Sequence, residues 1–398
     1  MRVLIELLDK SPIENVLGAC IFEPEIVVYL CDKRNSTLFK ESAVYSLFRR
    51  RKLKTKPRFY YFDAQSPPEI RRVLAAVVRD YPGCVFDFSG GSDLVLLQAG
   101  AYCLPLGVPA CYINAAEGRF VNVQHCRHLA ESFAMPTFTI GDVFALAGAA
   151  VMGSGHFENN EEATPGFEED ALFVWKMVQQ SPRAWGSFVA YLQAACAGTP
   201  LTALHIRALS SLGRGRQASK ANGSIFEKLY RAGLLTYYSR QGAQVEFAFK
   251  SPLHKKCLLN QGIWLELYCY INAMRSGLFD DVKTSVVIDW AGATYGPEST
   301  KNEVDVVLVK GIVPVFVSCK MSVPTPLALS EIRLLSSKFG GELSRAVVVT
   351  AGTLGTENRA LGARAADLDI LLLDGGVLQS GQLAEKLQEA VLKNRANG

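Results

Sequence analysis

Strand and helix patterns alternate along the first 150 residues, and this alternation is the feature that most restricts the fold. The predicted strands are short runs of apolar, β-branched or aromatic residues: Arg2–Leu7, Glu25–Cys31, Arg58–Phe62 and Cys84–Phe88. Helical patterns lie between them, at Ile13–Ala19, Glu41–Arg50 and Pro68–Tyr81. Strands that alternate with helices form a mostly parallel sheet covered on both faces, and ligands bind beyond the carboxyl ends of its strands. The sequence therefore predicts an α/β domain with a binding edge.

Two further units follow the first domain. The polar, acidic stretch Gly155–Pro165 is typical of a linker, and a mainly helical connector is expected over 156–252. Within it, a helical pattern at Ile225–Leu235 precedes a hairpin pattern at Leu235–Phe249, which fits either a winged helix or a plain connector. A second α/β unit is expected over 253–398. Its predicted strands are Ser285–Asp289, Val304–Val309, Pro314–Cys319, Ala346–Thr350 and Ile370–Leu373.

The composition excludes several classes of protein. Hydrophobic residues make up 49% of the chain and charged residues 20%, which excludes intrinsic disorder. A net charge of +4 is too small for a protein that coats polyanions, so any nucleic-acid site is a local feature. Ten cysteines without a CxxC pair argue against structural zinc and favour a reducing compartment. With no signal peptide and no long apolar run, we expect a cytoplasmic protein without membrane contact.

A glycine-rich turn follows the fourth predicted strand, and a polar turn follows the first. Glycines between a strand and a helix let backbone N–H groups approach an anion, and the amino terminus of the helix adds positive potential. A tight, well-capped turn is the alternative explanation for the same residues. Because both turns lie at the same edge of a parallel sheet, they predict one ligand site. Its candidate residues are Asp9, Lys10, Ser11, Ser89, Gly90, Gly91, Ser92 and Asp93.

The block Asp87–Gly100, DFSGGSDLVLLQAG, resembles the nucleotide-sensing motif of CARF domains, the CRISPR-associated Rossmann folds. Thr139–Ala149 is similar to the segment that closes that domain. The resemblance implies a Rossmann-like, parallel-sheet sensor over 1–155. It also implies a homodimer that binds a cyclic oligoadenylate, with cyclic tetra-adenylate expected, across its interface. Many CARF domains carry Lys where this chain has Asp93, which leaves the ring size and any cleavage of the ring open.

One glutamate in the third unit lies on an apolar surface. Glu266 is the only charged residue between Lys256 and Arg275, and the residues three and four positions away are Gly262, Ile263, Cys269 and Tyr270. Burying a carboxylate there is costly unless it is paired or binds a metal ion. A glutamate at the edge of an amphipathic helix is the alternative.

A predicted hairpin gathers further polar residues. If the strands Asn302–Val309 and Pro314–Lys320 turn at Gly311-Ile312, Asp305 lies opposite Ser318 and Glu303 opposite Lys320, all on one face. The other face is expected to be apolar, with Val304, Val306 and Leu308 packed against Val315, Val317 and Cys319.

Glu331 lies in the predicted helix Leu327–Lys338, between Leu327, Ala328, Leu334 and Leu335. We expect it in the middle of the apolar face. A purely structural pair with Lys320 or Arg333 explains the same pattern.

The blocks GIWLE, NEVDVVLV and VSCK, within Gly262–Leu373, together resemble the PD-(D/E)xK nuclease core. The resemblance implies an α/β, restriction-endonuclease-like domain in which Glu266 and Asp305 bind Mg²⁺ or Mn²⁺. Lys320 would orient the attacking water or stabilise charge at the phosphate. The chain departs at Ser318, which occupies an acid position of the family. Glu303, as a further metal ligand, or Glu331 would replace that acid.

Together the two resemblances imply a metal-dependent endonuclease of type III CRISPR antiviral defence, activated allosterically by a cyclic oligoadenylate and acting on DNA, RNA or both. The alternative is a ligand-responsive DNA-binding regulator with an inactive nuclease core. A third hypothesis, cleavage of the cyclic nucleotide itself, ranks last because the sensor turn offers no general base beyond Asp93.

Overall fold

Parallel pairing organises the first part of the chain, as the alternating pattern predicts. The computed structural model describes residues 1–9, 11–35, 41–153, 166–213, 218–290, 292 and 300–392. Its first sheet has six strands in the order β3-β2-β1-β4-β5-β6, parallel except for β6. The strands are β1 Val3–Leu7, β2 Ile26–Asp32, β3 Lys56–Phe62, β4 Val85–Asp87, β5 Ala110–Asn114 and β6 Arg119–Gln124. The helices are α1 Leu17–Phe22, α2 Glu41–Arg50, α3 Pro67–Asp80, α4 Asp93–Cys103 and α5 Ile140–Leu146. The sequence patterns missed β5 and β6.

The connector combines helices with a small antiparallel sheet. Its helices are α6 Phe167–Gln180, α7 Pro182–Ala195, α8 Gly223–Arg231 and α9 Pro252–Leu258. Its strands are β8 His205–Leu209, β9 Ser211–Leu212, β10 Ser219–Lys220, β11 Leu235–Gln241 and β12 Gln244–Phe249. The Asn222 side chain caps α8 by accepting from the Ile225 N–H, and the β11–β12 hairpin then pairs with β8. The helix and the hairpin expected from the sequence are therefore both present, and both alternatives for this unit stay open.

A second six-stranded sheet has the order β17-β16-β15-β14-β13-β7. It is antiparallel from β7 to β15 and parallel from β15 to β17. Its strands are β7 Ala150–Gly153, β13 Asp281–Asp289, β14 Lys301–Lys310, β15 Val313–Lys320, β16 Arg345–Thr350 and β17 Ile370–Leu373. Its helices are α10 Ile263–Ser276, α11 Pro326–Gly340, α12 Arg359–Asp367, α13 Gly375–Ser380 and α14 Leu383–Leu392.

Three hydrophobic cores stack through the molecule. The outer core, with Ile5, Leu74 and Phe86, covers one face of the first sheet. The shared core lies between the two sheets and joins residues of both, among them Leu4, Phe144, Phe316 and Phe339. The connector core packs the other face of the second sheet on the connector, with Trp175, Trp264 and Val317. Alternate residues of β15 enter different cores, as strand geometry requires. Among the described residues, no helix is both long and apolar enough to cross a bilayer.

Phe144→Ala tests whether the shared core joins the two sheets. Phe144 is fully buried, and its ring centroid lies 5.9 Å from that of Phe316 and 5.4 Å from that of Phe339. The cavity left behind should lower the free energy of unfolding by about 3–5 kcal/mol. Leu97→Ala, at a side chain 66% exposed on α4, is the control. Chemical denaturation measures both, and equal stability of the two variants would contradict the shared core.

Candidate functional site: a sensor cavity and an acid–lysine cluster

The turns after β1 and β4 meet at the carboxyl edge of the first sheet, where these strands lie side by side. They line one cavity of about 430 Å³. Of the candidate residues, Asp9, Ser11, Gly91, Ser92 and Asp93 line this cavity. Ser89 and Gly90 lie just before Gly91 in the turn after β4, and Lys10 lies outside the described residues. The predicted convergence of the two turns is therefore observed.

A buried carboxyl group holds the second turn. Asp87 Oδ1 accepts from the backbone N–H of Ser89 at 2.9 Å and from the Ser89 hydroxyl, and the Ser89 oxygen accepts from the Ile113 N–H at 2.6 Å. Gly90 packs so closely on the carbonyl oxygen of Leu7 that a Cβ atom does not fit there. This turn is therefore held by hydrogen bonds on one side and by backbone contact on the other.

Asp87 lies beside Glu6 in the register of β4 and β1, and both side chains are buried. Burial raises the pKa of Asp87 to about 6. Burial, and then the charge of Asp87, raises the pKa of Glu6 well above its usual range. Sequence reasoning missed this pair, although an acid near the carboxyl end of each of two apolar strands is a readable signal.

Ser92 holds the N-cap position of α4 but makes no capping side-chain hydrogen bond. The alternative explanation, in which the Ser92 side chain caps the helix, is therefore wrong. Ser92 and Asp93, the first residue of α4, both line the cavity, so the amino terminus of this helix opens there. Unpaired N–H groups at such an end attract anions.

Carboxylates dominate the charge around the cavity. The four acidic lining residues are Asp9, Asp32, Asp93 and Glu342, and no Lys, Arg or His of the described residues lines it. Asp32 is paired with Arg34, whose guanidinium nitrogen lies 3.0 Å from its carboxylate. The backbone is therefore the anion-binding part of the described lining, while its carboxylates accept hydrogen bonds.

The second candidate site lies where β14 and β15 diverge. The predicted hairpin register is confirmed, with Val306 paired with Val317 and a turn at Gly311-Ile312. Just beyond this last pair, Asp305 Oδ2 accepts from the Cys319 N–H at 2.6 Å and from Ser318 Oγ at 3.3 Å. Lys320 Nζ lies 3.9 Å from the same oxygen.

The strand alternation breaks at Asp305. Val304 belongs to the shared core but Val306 to the connector core, so these two side chains face opposite sides of the sheet. The expectation that Val304, Val306 and Leu308 share one face is therefore wrong for Val304. Opposite Asp305, Ser285 has a left-handed backbone (φ 52°) between the pairs Thr284–Val306 and Val286–Val304.

Glu266, in the first turn of α10, contributes to the same cluster. Burial, and then the charge of Glu266, raise the pKa of Asp305 to about 6, although the Cys319 N–H and Lys320 act to lower it. The helix is placed against the strand by Cys269 and Cys319, whose Sγ atoms lie 3.7 Å apart. The structure thus brings together Glu266, Asp305, Ser318 and Lys320.

The two remaining acidic candidates lie elsewhere. Glu303 is exposed and accepts a hydrogen bond from the Ser285 hydroxyl. Glu331 is exposed, between Leu327 and Leu334, which are 67% and 59% exposed. The expectation that Glu331 lies on a buried face is wrong, because α11 buries the face of Leu329, Ile332 and Phe339 instead. Among the described residues, no three His, Cys, Asp or Glu side chains are grouped to hold a metal ion. The cluster therefore has two carboxylates, and neither Glu303 nor Glu331 replaces the acid at Ser318.

Asp305→Asn tests the cost of burying this carboxylate. Because the folded protein holds the Asp305 proton more tightly than the unfolded chain does, Asp305 lowers the wild-type stability as the pH rises from about 4 to about 6, and the loss is complete above that. At about pH 8, the variant should be more stable than the wild type by about 1–3 kcal/mol, and near pH 4 the two should be equal. Denaturation in EDTA at both pH values measures this difference. A difference that does not depend on pH would contradict the assignment.

Two solved structures are similar to this chain over nearly its whole length. No protein-family model matches the sequence, and no curated protein matches it. The fold is similar to the crystal structure of protein VC1899 from Vibrio cholerae, with a TM-score of 0.72 and 16% identity over 100% of this chain and 99% of that one. It is also similar to Can2 from Sulfobacillus thermosulfidooxidans in complex with cyclic tetra-adenylate, with a TM-score of 0.67 and 16% identity over 98% and 99%. The predicted fold class, a parallel-sheet α/β domain joined to a second α/β domain, is confirmed.

Proposed function

We propose that this chain is a metal-dependent endonuclease activated by a cyclic oligoadenylate, with cyclic tetra-adenylate as the activator, in type III CRISPR antiviral defence. The observation that carries the proposal is the convergence of Glu266, Asp305 and Lys320 at the diverging end of one hairpin. The likeness to Can2, solved in complex with cyclic tetra-adenylate, extends over nearly the whole chain and supports the choice of activator.

The acid–lysine cluster fits a divalent cation. The charge of Glu266 adds to burial in raising the pKa of Asp305, and a bound cation would relieve this cost of ionising Asp305. Mg²⁺ is typically held by one or two carboxylates together with substrate phosphates and water, so a third protein carboxylate is not required. Glu266 and Asp305 would hold the ion. Such an ion lowers the pKa of a bound water and neutralises charge on a phosphate.

The other residues of the cluster position charge. The Lys320 side chain is 39% exposed while its ammonium group stays beside Asp305, so it is able to contact a phosphate oxygen from a fixed position. Ser318 and the Cys319 N–H both donate to one oxygen of Asp305 and so orient the carboxylate. Because Asp305 binds a cation only when ionised, the affinity of the metal-free protein for the cation should fall as the pH drops below about 6.

At the sensor cavity, the backbone of the Gly91–Asp93 turn and the amino terminus of α4 suit the phosphates of a cyclic oligoadenylate. The resemblance to CARF domains supports a homodimer, and a two-fold ligand suits a two-fold site. Activation follows if the ligand binds a closed dimer, with the nuclease sites around the substrate, more tightly than an open one.

A ligand-responsive DNA-binding regulator is the second candidate. The observation that favours it is that helix α8 is followed by the β11–β12 hairpin, which is the order of these elements in a winged helix. Such a regulator would bind DNA but leave it intact.

Lys320→Ala and Asp305→Ala should each lower cleavage about a hundredfold or more, because the first removes a positive charge beside the phosphate and the second removes a ligand of the cation. The assay uses labelled DNA and RNA, Mn²⁺ and each cyclic oligoadenylate. Glu331→Gln, at an exposed glutamate on α11, is the matched control and should keep full activity. Wild-type protein that binds DNA without cutting it would favour the regulator. Cleavage that survives both alanine variants would place the active site elsewhere.

Gly90→Ala should weaken binding of cyclic tetra-adenylate at least about tenfold, because the added Cβ pushes the turn away from the Leu7 carbonyl oxygen. Gly362→Ala is the control, since a Cβ on this α12 glycine meets no atom within 4 Å. Isothermal titration calorimetry measures the affinity, and thermal unfolding checks the fold. Unchanged affinity in a folded Gly90→Ala protein would place the ligand at another site.

A further inference from the structure

The second α/β unit contributes directly to the sensor cavity. Glu342, in the connection between α11 and β16, lines the cavity together with Asp9 and Ser11. Its neighbour Gly341 has φ 66°, and a Cβ placed there would lie 3.1 Å from Pro12 Cδ and 3.4 Å from Ser11 Cα. The end of α11 therefore rests on the turn after β1. A ligand in this cavity touches both units at once.

The Glu342 carboxylate is available to a ligand. Asp9 uses one carboxylate oxygen to accept from the Ser11 N–H at 2.7 Å, whereas the exposed Glu342 side chain has no hydrogen bond or ion pair with a described residue. The charge of Glu342 adds to burial in raising the pKa of both Asp9 and Glu14. These three acids therefore lie close together. A group that donates hydrogen bonds to Glu342 would relieve their repulsion.

We propose that Glu342 is a ligand-binding residue of the sensor cavity, whose carboxylate accepts a hydrogen bond from a nucleoside donor of the cyclic oligoadenylate. The inference rests on the proposed function. An ionised carboxylate only accepts hydrogen bonds and repels the phosphates. The donors of a cyclic oligoadenylate are the exocyclic amine of adenine and the ribose 2′-hydroxyl. Phosphates would lie toward the backbone of the Gly91–Asp93 turn, and a nucleoside toward Glu342.

Glu342 also connects the ligand to the acid–lysine cluster. Helix α11 begins at Pro326, a short loop after Lys320, and runs for 15 residues to Gly340. A Cβ on Gly340 would lie 2.8 Å from Pro314 Cγ and 3.0 Å from a ring carbon of Phe316, so this end of the helix packs tightly on β15. A ligand that binds Glu342 more strongly in one position of α11 shifts the population toward that position. Such a shift would reach Lys320, because this residue ends β15 and precedes α11.

The test measures binding of cyclic tetra-adenylate to the full chain by isothermal titration calorimetry. Glu342→Ala should weaken the affinity about tenfold or more, as expected for a lost hydrogen bond to a charged group. Glu342→Gln should weaken it less, because an amide oxygen still accepts a hydrogen bond. Glu385→Gln, at an exposed glutamate on α14 outside the cavity, is the matched control and should keep wild-type affinity. Thermal unfolding verifies that all variants fold.

Two modified rings identify the donor. If the adenine amine binds Glu342, a cyclic tetra-inosinate should bind wild type and Glu342→Ala equally. If the ribose hydroxyl binds Glu342, a 2′-O-methylated ring should instead bind wild type and Glu342→Ala equally. Either result supports the proposal.

Wild-type affinity in Glu342→Ala overturns the role of Glu342, while cleavage stimulated by the ligand in the wild-type protein would leave the proposed function intact. A wild-type protein that binds no cyclic oligoadenylate overturns both.

Discussion

The second sheet is apolar on both faces, and the rest of the architecture depends on covering both. In β15, Phe316 enters the shared core, while Val315 and Val317 enter the connector core. A sheet of this kind is stable only with a layer on each side. The first domain with α5 and α11 supplies one layer, and α10 with the connector supplies the other. The sensor cavity and the acid–lysine cluster are therefore held by one continuous packing arrangement.

The acid–lysine cluster lies in this sheet where the pairing of β14 with β15 ends. At Asp305 the alternation of side chains between the two faces of β14 is interrupted, opposite Ser285 with its left-handed backbone. Asp305 accepts a hydrogen bond from the Cys319 N–H of the neighbouring strand. One oxygen of the carboxylate accepts from Ser318 and from the Cys319 N–H, and the charges of Glu266 and Lys320 also act on this carboxylate. A regular strand would direct Asp305 to the same face as Val307, into the shared core. The local break thus makes room for a charged group within a buried sheet.

Both candidate sites bring acids together. At the sensor cavity, the charge of Glu342 adds to burial in raising the pKa of Asp9 and of the neighbouring Glu14, and in the second site Glu266 does the same to Asp305. Such clusters store unfavourable charge energy that a suitable ligand releases. Helix α11 is the element that connects them, since it starts after Lys320 and ends beside Glu342. Binding at one end and chemistry at the other are then linked through one helix.

The sequence by itself determined the alternating α/β first domain, the meeting of the Asp9 and Ser92 turns, and the hairpin register that sets Asp305 beside Ser318. Each depends on local periodicity or on the topology of a parallel sheet, which the order of residues encodes. Tertiary packing alone decided which face of α11 is buried, so that Glu331 is exposed, and it alone placed Glu342 at the sensor cavity. When a helix has apolar residues on several sides, the element that packs against it decides which side is buried. A contact between units that are distant in the sequence produces no periodic pattern, so the sequence alone does not predict it.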